Sequence, residues 1–99
     1  MTRVTAYVPD LMDRSRLAGA AEVTFVDHPE ALVGTDADLV VVDLTRPGVL
    51  EVVPRVGAPV IGFANHTRRE LMDAAQAAGC DQVLARSAFF SRVAELLRG

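Results

Sequence analysis

This sequence predicts an α/β fold: a five-stranded parallel sheet, doubly wound, with helices on both faces. Three observations carry the prediction. Leu39-Val40-Val41-Val42 is an unbroken aliphatic run, as expected of a strand buried on both faces, whereas a half-exposed strand would alternate. Val60-Ile61-Gly62-Phe63-Ala64 is a second run of the same kind. Strand-like and helix-like stretches alternate along the chain, which implies parallel βαβ units with right-handed crossovers. In open sheets of this kind, ligands bind beyond the carboxyl ends of the strands. Asp43 stands where the Leu39–Val42 strand leaves the sheet, so it is the first candidate for function.

The elements follow in order. Arg3–Val8, mostly β-branched or aromatic, reads as a strand, and Pro9-Asp10 ends it. Asp10 is placed to cap a helix whose first turn is Leu11-Met12-Asp13, with carboxylates where the helix dipole favours them. Leu11, Met12 and Leu17 are its expected inward stripe, and Gly19 its stop. Glu22–Val26 is a second strand. Asp27-His28-Pro29-Glu30 combines a capping acid with a proline in the first turn, a helix start; Gly34-Thr35-Asp36 closes that helix early.

After the Leu39–Val42 strand, Pro47-Gly48 opens Val49–Val56, read as a short helix interrupted by Pro54, although its apolar pattern also suits a strand. Val60–Ala64 comes next. Thr67-x-x-Glu70 then has the form of a capping box, hydroxyl and carboxylate serving each other's free amides. Its helix runs through Leu71, Met72, Ala74, Ala75 and Ala78 to Gly79. Cys80–Ala85 is the last strand, and Ser87 is the expected cap of a final helix with Phe89, Phe90, Val93, Ala94, Leu96 and Leu97 on its apolar face. The pattern fits a flavodoxin-like order, 2-1-3-4-5, with Leu39–Val42 central.

Bulk properties narrow the function. A chain of 99 residues, 51% hydrophobic and 23% charged, is expected to form one domain over residues 1–99, burying roughly 65% of its unfolded surface, and is not disordered. The core is aliphatic, with no Trp, one Tyr and four Phe. A formal net charge of −3 gives no electrostatic case for nucleic acid or an anionic membrane. The single cysteine, Cys80, allows neither an internal disulfide nor a Cys-rich zinc site and fits a reducing compartment. Met1-Thr2-Arg3-Val4 lacks the apolar run of a signal peptide, and no stretch approaches a membrane span. The expected location is cytoplasmic.

The chain resembles a response-regulator receiver domain over nearly its whole length, and its second half carries most of the match. Asp43-Leu44-x-x-Pro47 is similar to the phosphoacceptor strand, with its aspartate and the proline four residues on. Pro59-Val60-Ile61 resembles the start of the fourth receiver strand, and Ala77-Ala78-Gly79-Cys80-Asp81-Gln82-Val83-Leu84 the approach to the fifth. Each piece is common, but their order and spacing together are specific. The resemblance implies the five-stranded fold above, a phosphoacceptor at Asp43 and a magnesium ion held by Asp10 and Asp43.

The same resemblance exposes departures. Where the family has two acids after its first strand, this chain has Pro9 and Asp10. Ala64 stands where Ser or Thr is expected, followed by Asn65. Arg86 stands at the Lys position and Ser87 at the following proline. Two carboxylates make a weak magnesium site. Ala64 removes a hydroxyl from the phosphoryl grip, and Arg86 keeps the charge but replaces a compact ammonium with a planar fork. Phosphoryl transfer rests on positioning and electrostatics, so the altered set implies a degenerate site.

The pocket expected at this rim contains Asp10, Asp43, Ala64, Asn65, His66 and Arg86, with Arg86 as partner of Asp43. Each has a plainer reading: Asp43 capping the next turn, Asp10 capping its helix, Arg86 solvated, His66 an exposed loop residue. Cys80 reads as a small buried hydrophobe. Of Phe89 and Phe90, one is expected in the core and one partly exposed at an interface. The expected function is a non-enzymatic regulatory module acting through protein contacts, with self-association or partner docking through Thr67–Arg98. The alternatives are a working single-domain response regulator phosphorylated on Asp43 with magnesium, and a small flavodoxin-like enzyme or flavin binder resting on fold analogy alone.

Overall fold

The computed structural model describes residues 2–98. Its strands are β1 (Val4–Tyr7), β2 (Val23–Phe25), β3 (Leu39–Asp43), β4 (Val60–Ala64) and β5 (Gln82–Ala85). They form one parallel sheet in the order β2-β1-β3-β4-β5. The α-helices are α1 (Leu11–Ala20), α2 (Val49–Val52), α3 (Arg69–Ala78), α4 (Arg86–Ser91) and α5 (Val93–Leu97), and two 3₁₀ turns cover Pro29–Leu32 and Val53–Arg55. The predicted architecture and strand order are both present.

Strand periodicity divides the core in two. On one face Val4, Ala6, Leu39, Val41, Ile61 and Phe63 meet Leu17 of α1, Phe89 and Phe90 of α4, and Leu96 and Leu97 of α5. On the other face Tyr7, Val40, Val42, Val60 and Ala64 meet Leu32, Val49, Val52 and Ala75. Every residue of β3 and of β4 is buried, which is why their sequences show no alternation. Val49–Val56 resolves into α2 and a 3₁₀ turn holding Pro54.

Several local expectations are corrected. Leu11 and Met12 do not face inward; they are 79% and 77% exposed. The buried face of α1 is Asp13 with Leu17, an i, i+4 pair that shares one side of a helix. Gly19 does not stop α1, which runs to Ala20 and ends where Ala21, in extended conformation, donates its N–H to the Leu17 carbonyl. The Thr67 capping box does not form. The Arg68 N–H closes a turn onto the Asn65 carbonyl at 2.9 Å, so α3 begins at Arg69, one residue late, with no side-chain cap. Its end is as expected: Gly79 adopts φ +117, a left-handed conformation that favours glycine.

The last helix is also rebuilt. It starts at Arg86, directly off β5, with no side-chain cap, so Ser87 is inside it. It breaks at Arg92 (φ −118, ψ 14), whose N–H bonds the Phe89 carbonyl while its own carbonyl starts α5. Phe89 and Phe90 are both buried, 0% and 6% exposed, so neither is an exposed interface residue. The segment after β2 is a 3₁₀ turn flanked by His28 without a side-chain bond, so Asp27 does not cap it. Among the described residues, no helix is long and apolar enough to cross a membrane.

Candidate functional site

The carboxyl ends of five parallel strands share one rim, and the chain-order logic of the fold brings distant residues together there. β3 ends at Asp43, which lies opposite Phe63 in β4; Ala64 ends β4 opposite Ala85, and Arg86 follows at once. Asp43, Thr45, Phe63, Ala64, Asn65 and Arg86 line a cavity of about 230 Å³. Four of the six residues expected at this site therefore border one cavity. Asp10 and His66 are not among its lining residues; both are exposed.

The buried Asp43 carboxylate is tied locally. Its Oδ1 accepts the Thr45 backbone N–H at 3.0 Å and the Thr45 hydroxyl at 2.7 Å, a side-chain-capped turn. Its Oδ2 lies 3.5 Å from Nε of Arg46. Asp10 behaves similarly: its Oδ1 accepts the Asp13 N–H at 3.0 Å and caps α1.

Arg86 does not pair with Asp43. Its guanidinium forms a two-pronged pair with Asp13, Nη1 donating to Oδ2 at 2.8 Å and Nη2 to Oδ1. Asp13 is 2% exposed, so this is a buried carboxylate neutralised from 73 residues away. The pair has the fork geometry that distinguishes arginine from lysine. The Asp13 hydrogen bonds hold the guanidinium pKa above its ordinary value against partial desolvation, and the charges of Asp13, Asp43 and Asp10 add to the effect.

Aromatic faces fix the same side chain. The Arg86 Cζ lies 5.1 Å from the Phe90 ring centroid and 5.7 Å from that of Phe63. Phe63 and Phe89 stack at 4.8 Å, and Phe90 meets both edge-on. Arg16 of α1 sits over Phe90 at 4.1 Å. A partly exposed cation on an aromatic face gains about 0.5–1 kcal/mol, so Arg86 is held by the ion pair and by the rings beneath it.

Sequence reasoning missed Asp13 and Thr45. An acid four residues before the helix's one buried leucine was a signal for Asp13, since that spacing puts both on the inner face. A Thr two residues past a strand-end Asp was a signal for Thr45.

The carboxylates expected to hold magnesium have protein partners. Asp10 Oδ1, both oxygens of Asp13 and Asp43 Oδ1 accept hydrogen bonds from the protein, and Asp43 Oδ2 faces Arg46. Among the described residues, no group of three His, Cys, Asp or Glu side chains is placed to hold a metal ion. Mg²⁺ favours near-octahedral oxygen ligation, and these carboxylate oxygens are already engaged by protein donors.

No family model matches the chain, and no curated protein matches it. Solved structures do. A response regulator from Hahella chejuensis superposes with a TM-score of 0.79 at 18% identity, over 99% of this chain and 93% of its own. The isolated REC domain of RcsB from Salmonella enterica serovar Typhimurium gives 0.76 at 11% identity, over 99% and 86%. Full-length FixJ from B. japonicum gives 0.78 at 19% identity, over 97% of this chain and 55% of its own. The fold is that of response-regulator receiver domains.

Proposed function

We propose that this chain is a receiver-like regulatory module that works through protein contacts, its phosphorylation site being degenerate. One observation carries the reading: the cationic residue after β5 is committed to Asp13 instead of Asp43. Receiver phosphorylation needs that cation beside the phosphoryl group, and phosphoryl transfer depends on such positioning. The Thr45 bonds to Asp43 Oδ1 and the engaged donor set point the same way.

The contact face we propose is Thr67–Arg98, used for self-association. Its support is the edge strand β5, where Val83, Leu84 and Ala85 are only half-buried, beside Ala74 and Ala77 exposed on α3. An unpaired strand edge with apolar side chains is a template for a second chain. Light scattering on concentrated protein is expected to show a dimer; a strict monomer removes self-association from the reading.

A second reading, phosphorylation of Asp43, is favoured by the cavity beside it, which presents Thr45 and Asn65. Incubation with acetyl phosphate and Mg²⁺, read by intact mass, decides between the two. Degeneracy predicts no gain of a phosphoryl group. A gain that disappears in Asp43→Asn establishes the second reading.

A further inference from the structure

We infer that Arg86 is the built-in cation of this site: its guanidinium neutralises Asp13 and borders Asp43, so that the pocket holds one fixed charge state with no metal. The inference deepens the proposed function, and it rests on the geometry of five side chains. Asp13 is buried at 2% exposure, and a buried carboxylate needs a partner charge or must become neutral. Arg86 gives it both prongs of the fork. The same guanidinium lines the cavity that Asp43 lines, and Phe63 and Phe90 support it from below. A divalent ion entering beside Asp13 and Asp43 therefore meets a tethered cation that cannot diffuse away.

The consequence is a latent metal site. Mg²⁺ commonly binds through one or two carboxylates and keeps several waters. Removing the guanidinium frees both oxygens of the buried Asp13 and vacates the space that Arg86 fills between that carboxylate and the cavity Asp43 lines. The wild-type chain ignores divalent ions, and a chain without the guanidinium acquires a use for them.

Thermal melts of the full chain in Mg²⁺, and in NaCl at matched ionic strength, test this. The wild type is expected to melt at the same temperature in both. Arg86→Gln is expected to melt lower in NaCl and to recover about 5 °C or more in Mg²⁺ at roughly ten times its dissociation constant. The recovery is expected to vanish in the Asp13→Asn/Arg86→Gln double variant. If Arg86→Gln does not fold in NaCl, refolding it in millimolar Mg²⁺ gives the same reading. A Mg²⁺-specific shift in the wild type overturns the inference, as does an Arg86→Gln chain that folds yet shows none. The acetyl phosphate experiment reads separately: a phosphorylated wild type that shows no shift ends the degenerate reading and leaves the tethered cation standing.

Discussion

Gly62 fixes how the chain leaves β3 beside Asp43. The Leu44 side chain lies across this glycine, and the Leu44 N–H bonds the Phe63 carbonyl at 3.0 Å. A Cβ built on Gly62 would stand 2.6 Å from Leu44 Cδ2, and Cγ and Cδ1 of that side chain also fall within 3.0 Å. Leu44 is itself buried, so a Cβ on Gly62 would have to displace a packed side chain. Gly62→Ala is therefore expected to destabilise by about 1–3 kcal/mol, the usual cost of overpacking. Leu44→Ala leaves a cavity and costs about 2–5 kcal/mol on its own. Because the two changes compensate in volume, the double variant should cost less than their sum by about 0.5–3 kcal/mol. Urea denaturation of the four chains measures this; strict additivity shows that Leu44 does not press on Gly62.

At the scale of elements, β3 is the most demanding strand, because both faces are buried and both cores meet on it. Val41 is 0% exposed. Val41→Asp places a carboxylate there without a partner, a cost of several kcal/mol against a total stability of about 5–15 kcal/mol. The domain is expected to unfold, seen as loss of the cooperative melt; a melt near the wild-type temperature would remove Val41 from the core. The strands were legible because their signal is local. A run of β-branched residues reads the same whatever packs on it, and alternation failed in β3 and β4 for the reason that both faces are covered. Helix ends were less legible, because competing turns decide them. Thr67 and Glu70 had the right spacing, yet the Asn65–Arg68 turn claimed that stretch. At the candidate site, the receiver resemblance and the shared strand rim grouped Asp43, Ala64, Asn65 and Arg86, which line one cavity, together with Asp10 and His66, which do not line it. Asp13 was not found, because its partner is remote in sequence and the helix dipole already accounts for an acid in a first turn, so its i, i+4 spacing to Leu17 was passed over.

The whole molecule couples two cores through one sheet. Its helices are short, yet the radius of gyration is 11.9 Å, close to the roughly 13 Å of a domain of about 100 residues, so these short helices still close both faces. Each core carries a separate reporter. Cys80 lies with Val60 and Ala75 on one face, while Phe63, Phe89 and Phe90 stack on the other. Burial, together with the charge of Asp81, pushes the Cys80 thiol up to about 11. Since the thiolate is the reactive form, Cys80 should be inert to a thiol reagent at neutral pH until the chain opens. If β3 and β4 transmit loss of either core to the other, unfolding is two-state. The denaturant midpoint for Cys80 labelling should then coincide with that of the near-ultraviolet phenylalanine signal. Labelling that runs ahead of the aromatic signal would mean that the face carrying α2 and α3 opens alone. The central strands would then hold Asp43 in place only from the Phe63 side.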